Sequence, residues 1–186
     1  MPHTADRWTA ADVRALPDDG NRYELIGGEL IVTPAPGGKH QAALSALVER
    51  LAPFVRSAVP GARILWSPAD LALGEDEILQ PDLFVCLTPG GHPPEHWSDI
   101  TSLLLVIEVV SPRSARYDRS VKRFRYQRAG VPDYWVVDLD ARLVERWTPA
   151  DTRPEIVTGT LRWQPDGAPA PLDIDLGAVF EEATGE

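Results

Sequence analysis

Residues 103–110 form one aliphatic run, Leu-Leu-Leu-Val-Ile-Glu-Val-Val, and they constrain the fold more than any other segment. An uninterrupted run of this kind is typical of a strand that is covered on both faces. The run is too short to cross a bilayer, so we expect no membrane association. Glu108 lies inside the run, and a buried carboxylate is costly unless a cation or hydrogen-bond donors lie beside it. A central strand with an acidic residue is therefore the first expectation.

The segments before this run predict alternating helices and strands. Gly27 and Gly28 separate two strand-like runs, which indicates a tight hairpin. Pro53 predicts a kink or early stop in the long amphipathic helix that follows. We expect a short helix at 9–16, hairpin strands at 22–26 and 29–33, a helix at 39–58, strands at 62–67, 70–73 and 82–87, and a loop at 88–97.

The segments after the central run continue the alternation. We expect a helix at 117–129, with Asp118 as its cap and Gly130 at its end. Strands are predicted at 133–138 and 142–147, with weaker signals at 155–157 and 161–163. This order indicates an α/β fold in which helices flank a mixed central β-sheet. The length of 186 residues favours a single domain over 1–186, with a core at about 22–148, an N-terminal helix and a C-terminal extension.

Composition limits the function and the compartment. The formal net charge of −10 counts against a protein that coats nucleic acid by neutralising phosphates. Cys86 is the single cysteine, which excludes an internal disulfide and suits a reducing cytoplasm. The first residues lack the basic and then apolar pattern of a signal peptide. We expect a cytoplasmic protein in which Cys86 is a small core residue.

Asp82 is the obvious partner for Glu108. It follows Pro81 at the head of a second apolar run, so the two carboxylates converge if their strands are neighbours. Paired carboxylates of this kind bind hard divalent cations such as Mg²⁺. Each residue also has another interpretation. Glu108 can lie at an open strand edge or in a structural ion pair, and Asp82 can be a turn or cap residue.

Lys122 is the third candidate, fourteen positions after Glu108 on the predicted helix. It shares a helical stripe with Tyr126 and adjoins an apolar stripe that contains Val121 and Phe124. A lysine at this position can orient an attacking water and stabilise the charge that develops at a phosphate. The alternative for Lys122 is a solvated lysine. Tyr126 is an auxiliary candidate that contacts substrate through its hydroxyl, or it is a tyrosine that only fills the core. His40, at the start of the long helix, is a weaker candidate for contact with a phosphate or a metal-bound water, or a structural residue.

Several segments closely resemble the Uma-type putative restriction endonuclease family, which comprises bacterial proteins of the PD-(D/E)XK nuclease superfamily. The matching residues are Tyr-Glu-Leu-Ile-Gly-Gly-Glu-Leu (23–30), Pro-Asp-Leu (81–83), Ile-Glu-Val-Val-Ser-Pro (107–112), Tyr117, Asp118, Lys122, Tyr126 and Gly-Val-Pro-Asp-Tyr-Trp-Val-Val-Asp (130–138). The resemblance extends over about 23–147. It implies a restriction-endonuclease-like core and Mg²⁺-dependent hydrolysis of phosphodiester bonds in DNA, with Mn²⁺ as a substitute ion.

The resemblance also implies roles for individual residues. Asp82 and Glu108 match the metal-binding carboxylates, and the backbone carbonyl of Val109 is a further ligand. The superfamily lysine normally stands two residues after the second carboxylate, where this chain has Val110, so Lys122 is expected to replace it in space. Glu24 matches an additional acidic residue near the metal. Its alternative is the polar face of a half-exposed strand.

The main hypothesis is therefore a metal-dependent DNA endonuclease, and a homodimer is plausible because two-fold symmetry suits cleavage of two strands. The rival hypothesis is a catalytically silent binding or assembly module with a nuclease fold. A glycosidase with paired carboxylates leaves Lys122 without a role.

The charge is distributed unevenly along the chain. Between residues 113 and 128 lie seven basic residues and a single acid, Asp118. Such a run is commonly a solvated helix face, but this one follows Glu108 directly, where a phosphate backbone has to approach. Arg116, Arg119 and Arg123 are therefore expected to contact phosphate, so that their removal weakens DNA binding and flattens its salt dependence.

Overall fold

The computed structural model describes residues 7–74 and 76–185. The N-terminal part contains helix α1 (Ala10–Arg14), the hairpin strands β1 (Arg22–Ile26) and β2 (Glu29–Thr33), and helix α2 (Gly38–Ala58). Strands β3 (Ala62–Trp66), β4 (Leu71–Gly74), β5 (Glu77–Leu79) and β6 (Leu83–Leu87) follow. The hairpin prediction is confirmed, and Gly27 and Gly28 both have positive φ, the conformation that glycine allows at this turn.

After β6 come two short 3₁₀ turns, Pro89–Gly91 within the predicted loop and Trp97–Asp99 at its end. Strand β7 (Ser102–Val109) is the aliphatic run, and it is followed by the π-helical turn Tyr117–Lys122, which continues into helix α3 (Arg123–Arg128). The last elements are β8 (Tyr134–Asp138), β9 (Leu143–Trp147), β10 (Glu155–Val157), β11 (Thr160–Trp163), β12 (Leu172–Asp175) and helix α4 (Leu176–Thr184).

Six of the described strands form one large sheet, in the order β10-β9-β8-β7-β6-β3. Strands β7 and β8 are parallel, whereas β6 and β7 are antiparallel, so the sheet is mixed as predicted. A second sheet has the order β2-β1-β5-β4, and β11 pairs with β12. The central position of β7 confirms what its uninterrupted aliphatic sequence indicated.

The large sheet is covered on both faces. Because side chains alternate along a strand, Ile107 and Val109 face a core that includes residues of α2 and α4. Val106 faces the opposite core, which contains Tyr126 and Tyr134. Glu108 shares the side of Val106, so its carboxylate lies beneath the helix that follows β7. The two-residue period of the strand thus determines which layer contains the acidic residue.

Some local expectations were wrong. The early stop at Pro53, one of the two effects expected of it, does not occur, and α2 continues to its predicted end at Ala58. Strands β5 and β12 and helix α4 were missed; β5 has only three residues, and β12 and α4 lie in the region where the sequence signals were weak. Cys86 is fully buried, as expected for a small core residue. Among the described helices, none is long and apolar enough to cross a membrane.

Candidate metal and phosphate site

Asp82 and Glu108 lie side by side because β6 and β7 are antiparallel neighbours. Leu83 pairs with Ile107, so the next position along the register places Asp82 opposite Glu108. The backbone N–H of Val109 donates to Oδ2 of Asp82 over 2.8 Å. Both carboxylates are almost completely buried, at 2% and 1% exposure. The structure therefore brings the predicted pair together.

Lys122 reaches the same place from the helix above the sheet. Its Nζ lies 3.1 Å from Oε1 of Glu108 and 3.0 Å from Oε1 of Glu24. Glu24 is on β1, and its Oε1 also accepts the backbone N–H of Gln80 over 2.8 Å. Tyr126, one helical turn after Lys122, places its hydroxyl 3.4 Å from Oε1 of Glu108. These four residues come from three separate segments, and their side chains meet around one ammonium group.

Asp118 belongs to this cluster, which corrects its prediction as a helix cap. Its Oδ1 lies 3.4 Å from Nζ of Lys122, and the residue is 2% exposed. Residues 115 and 116 are already helical, ahead of the predicted start at 117, and just before them Ser111 and Ser114 exchange hydrogen bonds between their backbone N–H groups and hydroxyls. Asp118 therefore lies inside the helical segment, four residues before Lys122. That spacing was visible in the sequence and is the signal that could have found it.

Arg22 and His40 complete the surroundings of Asp82. Nη2 of Arg22 lies 2.8 Å from Oδ1, and Nε2 of His40 lies 2.9 Å from Oδ2. Nδ1 of His40 is buried and has no hydrogen-bond partner in the described part of the chain. Arg22 was not predicted as a site residue. It stands two positions before Glu24 on a strand, so the alternation of side chains places both on one face and was the available signal.

The two metal-ligand candidates differ in their electrostatics. Burial raises the pKa of Asp82, but the hydrogen bond from His40 and the charge of Arg22 outweigh it and lower the pKa to about 2. Burial raises the pKa of Glu108 well above its ordinary value, and the charge of Lys122 only partly opposes this shift. Nearby Asp82, Asp118 and Glu24 raise it further. Asp82 is thus held ionised, whereas Glu108 is crowded by negative charge.

The same carboxylates also raise the pKa values of Lys122 and Tyr126. Burial acts to lower the pKa of Lys122, but Glu108, Glu24 and Asp118 raise it well above its usual range. Burial raises the pKa of the Tyr126 hydroxyl, and Glu108 adds to the effect. Lys122 is therefore a permanent cation and Tyr126 a permanent hydrogen-bond donor at neutral pH.

The cluster opens into a cleft of about 630 Å³. Its walls include the segment after β2, the start of α2 and the turn after β7. Lys39 and Arg113 line the cleft together with the site residues. Val109 also borders it through the strand end; the ligand role of its carbonyl stays a prediction. A polar substrate that enters this cleft meets both buried carboxylates and basic side chains.

The three arginines predicted to contact phosphate lie elsewhere. Among the described residues that line the cleft, Arg113 is present but Arg116, Arg119 and Arg123 are not. Arg119 pairs with Asp138 at 2.6 Å and with Glu145 at 2.5 Å. The guanidinium of Arg123 stacks over the rings of Phe124 and Trp147. Phe124 itself is 60% exposed, so it does not belong to an apolar stripe that faces the core. Phosphate contact by these three residues stays a prediction, but two of them have structural partners.

Arg119→Ala is expected to lower thermal stability, because the substitution leaves two half-buried carboxylates without their cation. The loss of such a paired arginine costs about 1–3 kcal/mol, which corresponds to a few degrees in Tm for a chain of this size. Thermal unfolding followed by circular dichroism measures it, with Arg116→Ala as the matched exposed arginine. Equal Tm values for the two variants would contradict the structural role.

The residues at the cluster suit a Mg²⁺ ion in their chemistry. Within residues 7–74 and 76–185, no three His, Cys, Asp or Glu side chains are arranged as a preformed metal site. Mg²⁺ does not need such a cage, because it is usually held by one or two carboxylates together with water and substrate phosphate. Four buried carboxylates, those of Glu24, Asp82, Glu108 and Asp118, face only two permanent cations, Arg22 and Lys122. A divalent cation would balance that excess.

Comparison with known proteins shows the fold and the family of this chain. The crystal structure of a putative nuclease belonging to DUF820 from Anabaena variabilis superposes with a TM-score of 0.75 at 22% sequence identity. The match covers 94% of this chain and 98% of that one, which shows that the two share a fold. No curated protein is similar enough to count as a relative. The family model described as "Uma2: Putative restriction endonuclease" matches residues 10–176. By this match, which spans every segment that supplies the buried cluster, the chain belongs to the Uma2 family.

Proposed function

We propose that this protein is a Mg²⁺-dependent DNA endonuclease of the PD-(D/E)XK type. The observation that supports it best is the meeting of Asp82, Glu108 and Lys122 in the lining of one cleft. The family description and the nuclease with the same fold point to phosphodiester hydrolysis. Lys122 approaches Glu108 from the helix and thereby replaces the lysine that Val110 displaces from the strand.

In this proposal Asp82 and Glu108 hold the metal. When bound, Mg²⁺ supplies a Lewis acid for the scissile phosphate and lowers the pKa of a water ligand. Asp82 is suited to this role because its low pKa keeps it ionised. Mn²⁺ is expected to replace Mg²⁺, since both prefer oxygen ligands.

The other residues of the cluster act on the substrate. Lys122 remains charged while buried, so its ammonium group can stabilise the negative charge that grows on the phosphate in the transition state. Glu24 and Asp118 fix the position of that ammonium group from two further sides. Nδ1 of His40 has no described partner and can accept a hydrogen bond from a water or a substrate group. Burial of these groups keeps their electrostatic interactions strong.

Cleavage of a supercoiled plasmid tests the proposal. The wild type is expected to nick and linearise the plasmid with Mg²⁺ or Mn²⁺ but not with EDTA. Asp82→Asn should abolish cleavage because it removes the charge of one metal ligand. Asp166→Asn, which removes the same charge from an exposed loop, should cleave like the wild type.

Two results would contradict the assignment. Cleavage in EDTA would show that the reaction needs no metal, and unchanged cleavage by Asp82→Asn would remove Asp82 from the site. A wild type that binds DNA but does not cleave it under any of these conditions would favour a binding module with a nuclease fold.

A further inference from the structure

Arg22 lies beside Asp82 but has no role in the proposed chemistry. It begins β1 and lines the cleft, and its side chain is only 14% exposed. Nη2 donates to Oδ1 of Asp82 over 2.8 Å, and Nη1 makes a long contact of 3.4 Å with the carbonyl oxygen of Gln80. A guanidinium has five N–H donors. The described partners use only two of them, although the group lines the cleft.

Arg22 blocks the one oxygen of Asp82 that other groups leave open. Oδ2 already accepts hydrogen bonds from His40 and from the backbone N–H of Val109. Among the described residues, Oδ1 has Arg22 as its only hydrogen-bond partner. A cation that binds Asp82 through Oδ1 therefore competes directly with the guanidinium of Arg22.

The excess of negative charge in the cluster favours the divalent cation in that competition. Arg22 and Lys122 are too few to balance Glu24, Asp82, Glu108 and Asp118. Once a divalent cation takes over Asp82, Arg22 loses its carboxylate partner while it remains charged and largely buried. Glu108 and Glu24 still act on Arg22 by charge, but its hydrogen-bonding fork is then free for another anion, and that planar fork matches two oxygens of a phosphate. Lys39 and Arg113 on the cleft walls lead a phosphate backbone toward the same point.

We propose that Arg22 exchanges Asp82 for a phosphate of the nucleic-acid backbone, so that a divalent cation and the nucleic acid strengthen each other's binding. The inference rests on the proposed function, because it assumes that Asp82 is a metal ligand. Arg22 thus has two roles that change in opposite directions. It weakens cation binding as a competitor, and it strengthens substrate binding as a phosphate contact.

Arg22→Gln separates these roles through two binding measurements. Calorimetric titration with Mn²⁺ in the absence of DNA is expected to show binding about fivefold tighter than in the wild type, because the competing cation is gone. Fluorescence anisotropy of a labelled, phosphorothioate-substituted duplex in Mn²⁺ is expected to show DNA binding about tenfold weaker or more. Because coupling is reciprocal, the gain in DNA affinity that Mn²⁺ produces in the wild type should shrink in the variant.

Two further variants complete the experiment. Arg22→Lys keeps the charge but loses the planar fork, so its DNA affinity should fall between those of Arg22→Gln and the wild type. Arg56→Gln removes an exposed arginine at the end of α2 and should change neither measurement. A purely structural role for Arg22 predicts that Arg22→Gln weakens the binding of both Mn²⁺ and DNA.

The outcomes distinguish this inference from the proposed function. If the wild type binds Mn²⁺ and cleaves plasmid, but Arg22→Gln changes both affinities in the same direction or leaves DNA affinity unchanged, the exchange by Arg22 is wrong and the nuclease assignment stands. If the wild type binds no Mn²⁺ in a manner that depends on Asp82, the nuclease assignment fails, and the exchange fails with it.

Discussion

Glu108→Gln is expected to abolish plasmid cleavage and to raise the Tm at neutral pH. The substitution removes the charge of a proposed metal ligand, so cleavage should fall to the level seen in EDTA. It also removes one negative charge from a buried cluster that contains three other carboxylates. Lys122 keeps Glu24 at 3.0 Å and Asp118 at 3.4 Å, so its ammonium group remains paired. Loss of activity with a gain of stability is the pattern expected of a residue that serves function at a cost to the fold.

The stability difference should depend on pH in one direction. The pKa of Glu108 is raised in the folded state from an ordinary value of 4.5, so its protonated form favours folding. Its contribution to stability is fully present below the ordinary pKa and is lost as the pH rises through the raised one. The advantage of Glu108→Gln over the wild type should therefore be absent in acid and grow toward neutral pH.

Urea unfolding at a series of pH values, without divalent cations, measures this difference. Glu181→Gln, a neutralised exposed carboxylate on α4, is the matched control and should follow the wild-type curve. A Glu108→Gln variant that is less stable than the wild type at neutral pH would show that the carboxylate is a net stabiliser through Lys122. It would contradict the expectation that repulsion from the neighbouring carboxylates makes Glu108 destabilising.

Most strands of both larger sheets were predictable because their sequences have clear hydrophobic or turn patterns. The aliphatic run with Glu108 identified β7, and the paired glycines identified the β1–β2 hairpin. Strand β5 was not predictable, because three residues are too few to show a period. Helix α4 is strongly apolar and packs against α2, but the turn-rich segment before it concealed its start.

The site was predictable only as far as local sequence reveals which residues meet. Asp82 and Glu108 could be predicted as neighbouring candidates because each stands in or next to an apolar strand. Asp118 was misassigned because an acid near a helix start usually caps it, and only the earlier start of the helix reveals the difference. Arg22 was missed because its role depends on a contact with Asp82, sixty residues away. Contacts over such separations are determined by the pairing of sheets and helices, not by a motif.

Lys122→Met is expected to cause a large loss of stability as well as of cleavage. Methionine has a similar length but no charge, so Glu24, Glu108 and Asp118 lose the cation that they share. Removal of one partner from a buried ion cluster costs about 3–5 kcal/mol. For a chain of this size, such a loss corresponds to roughly 10 °C in Tm. Lys39→Met, at an exposed position, is the matched control for stability and should unfold like the wild type.

The double variant Lys122→Met/Glu108→Gln shows why stability is lost. If the loss comes from uncompensated carboxylates, neutralisation of Glu108 should restore part of it, and the two substitutions should be strongly non-additive. Mg²⁺ should also raise the Tm of Lys122→Met more than that of the wild type, since a ligand that binds only the folded state stabilises it. If Lys122 only fills space, the effects of the two substitutions will add, and Mg²⁺ will stabilise both proteins equally. Non-additivity together with a greater response to Mg²⁺ is the result that a shared buried cation requires.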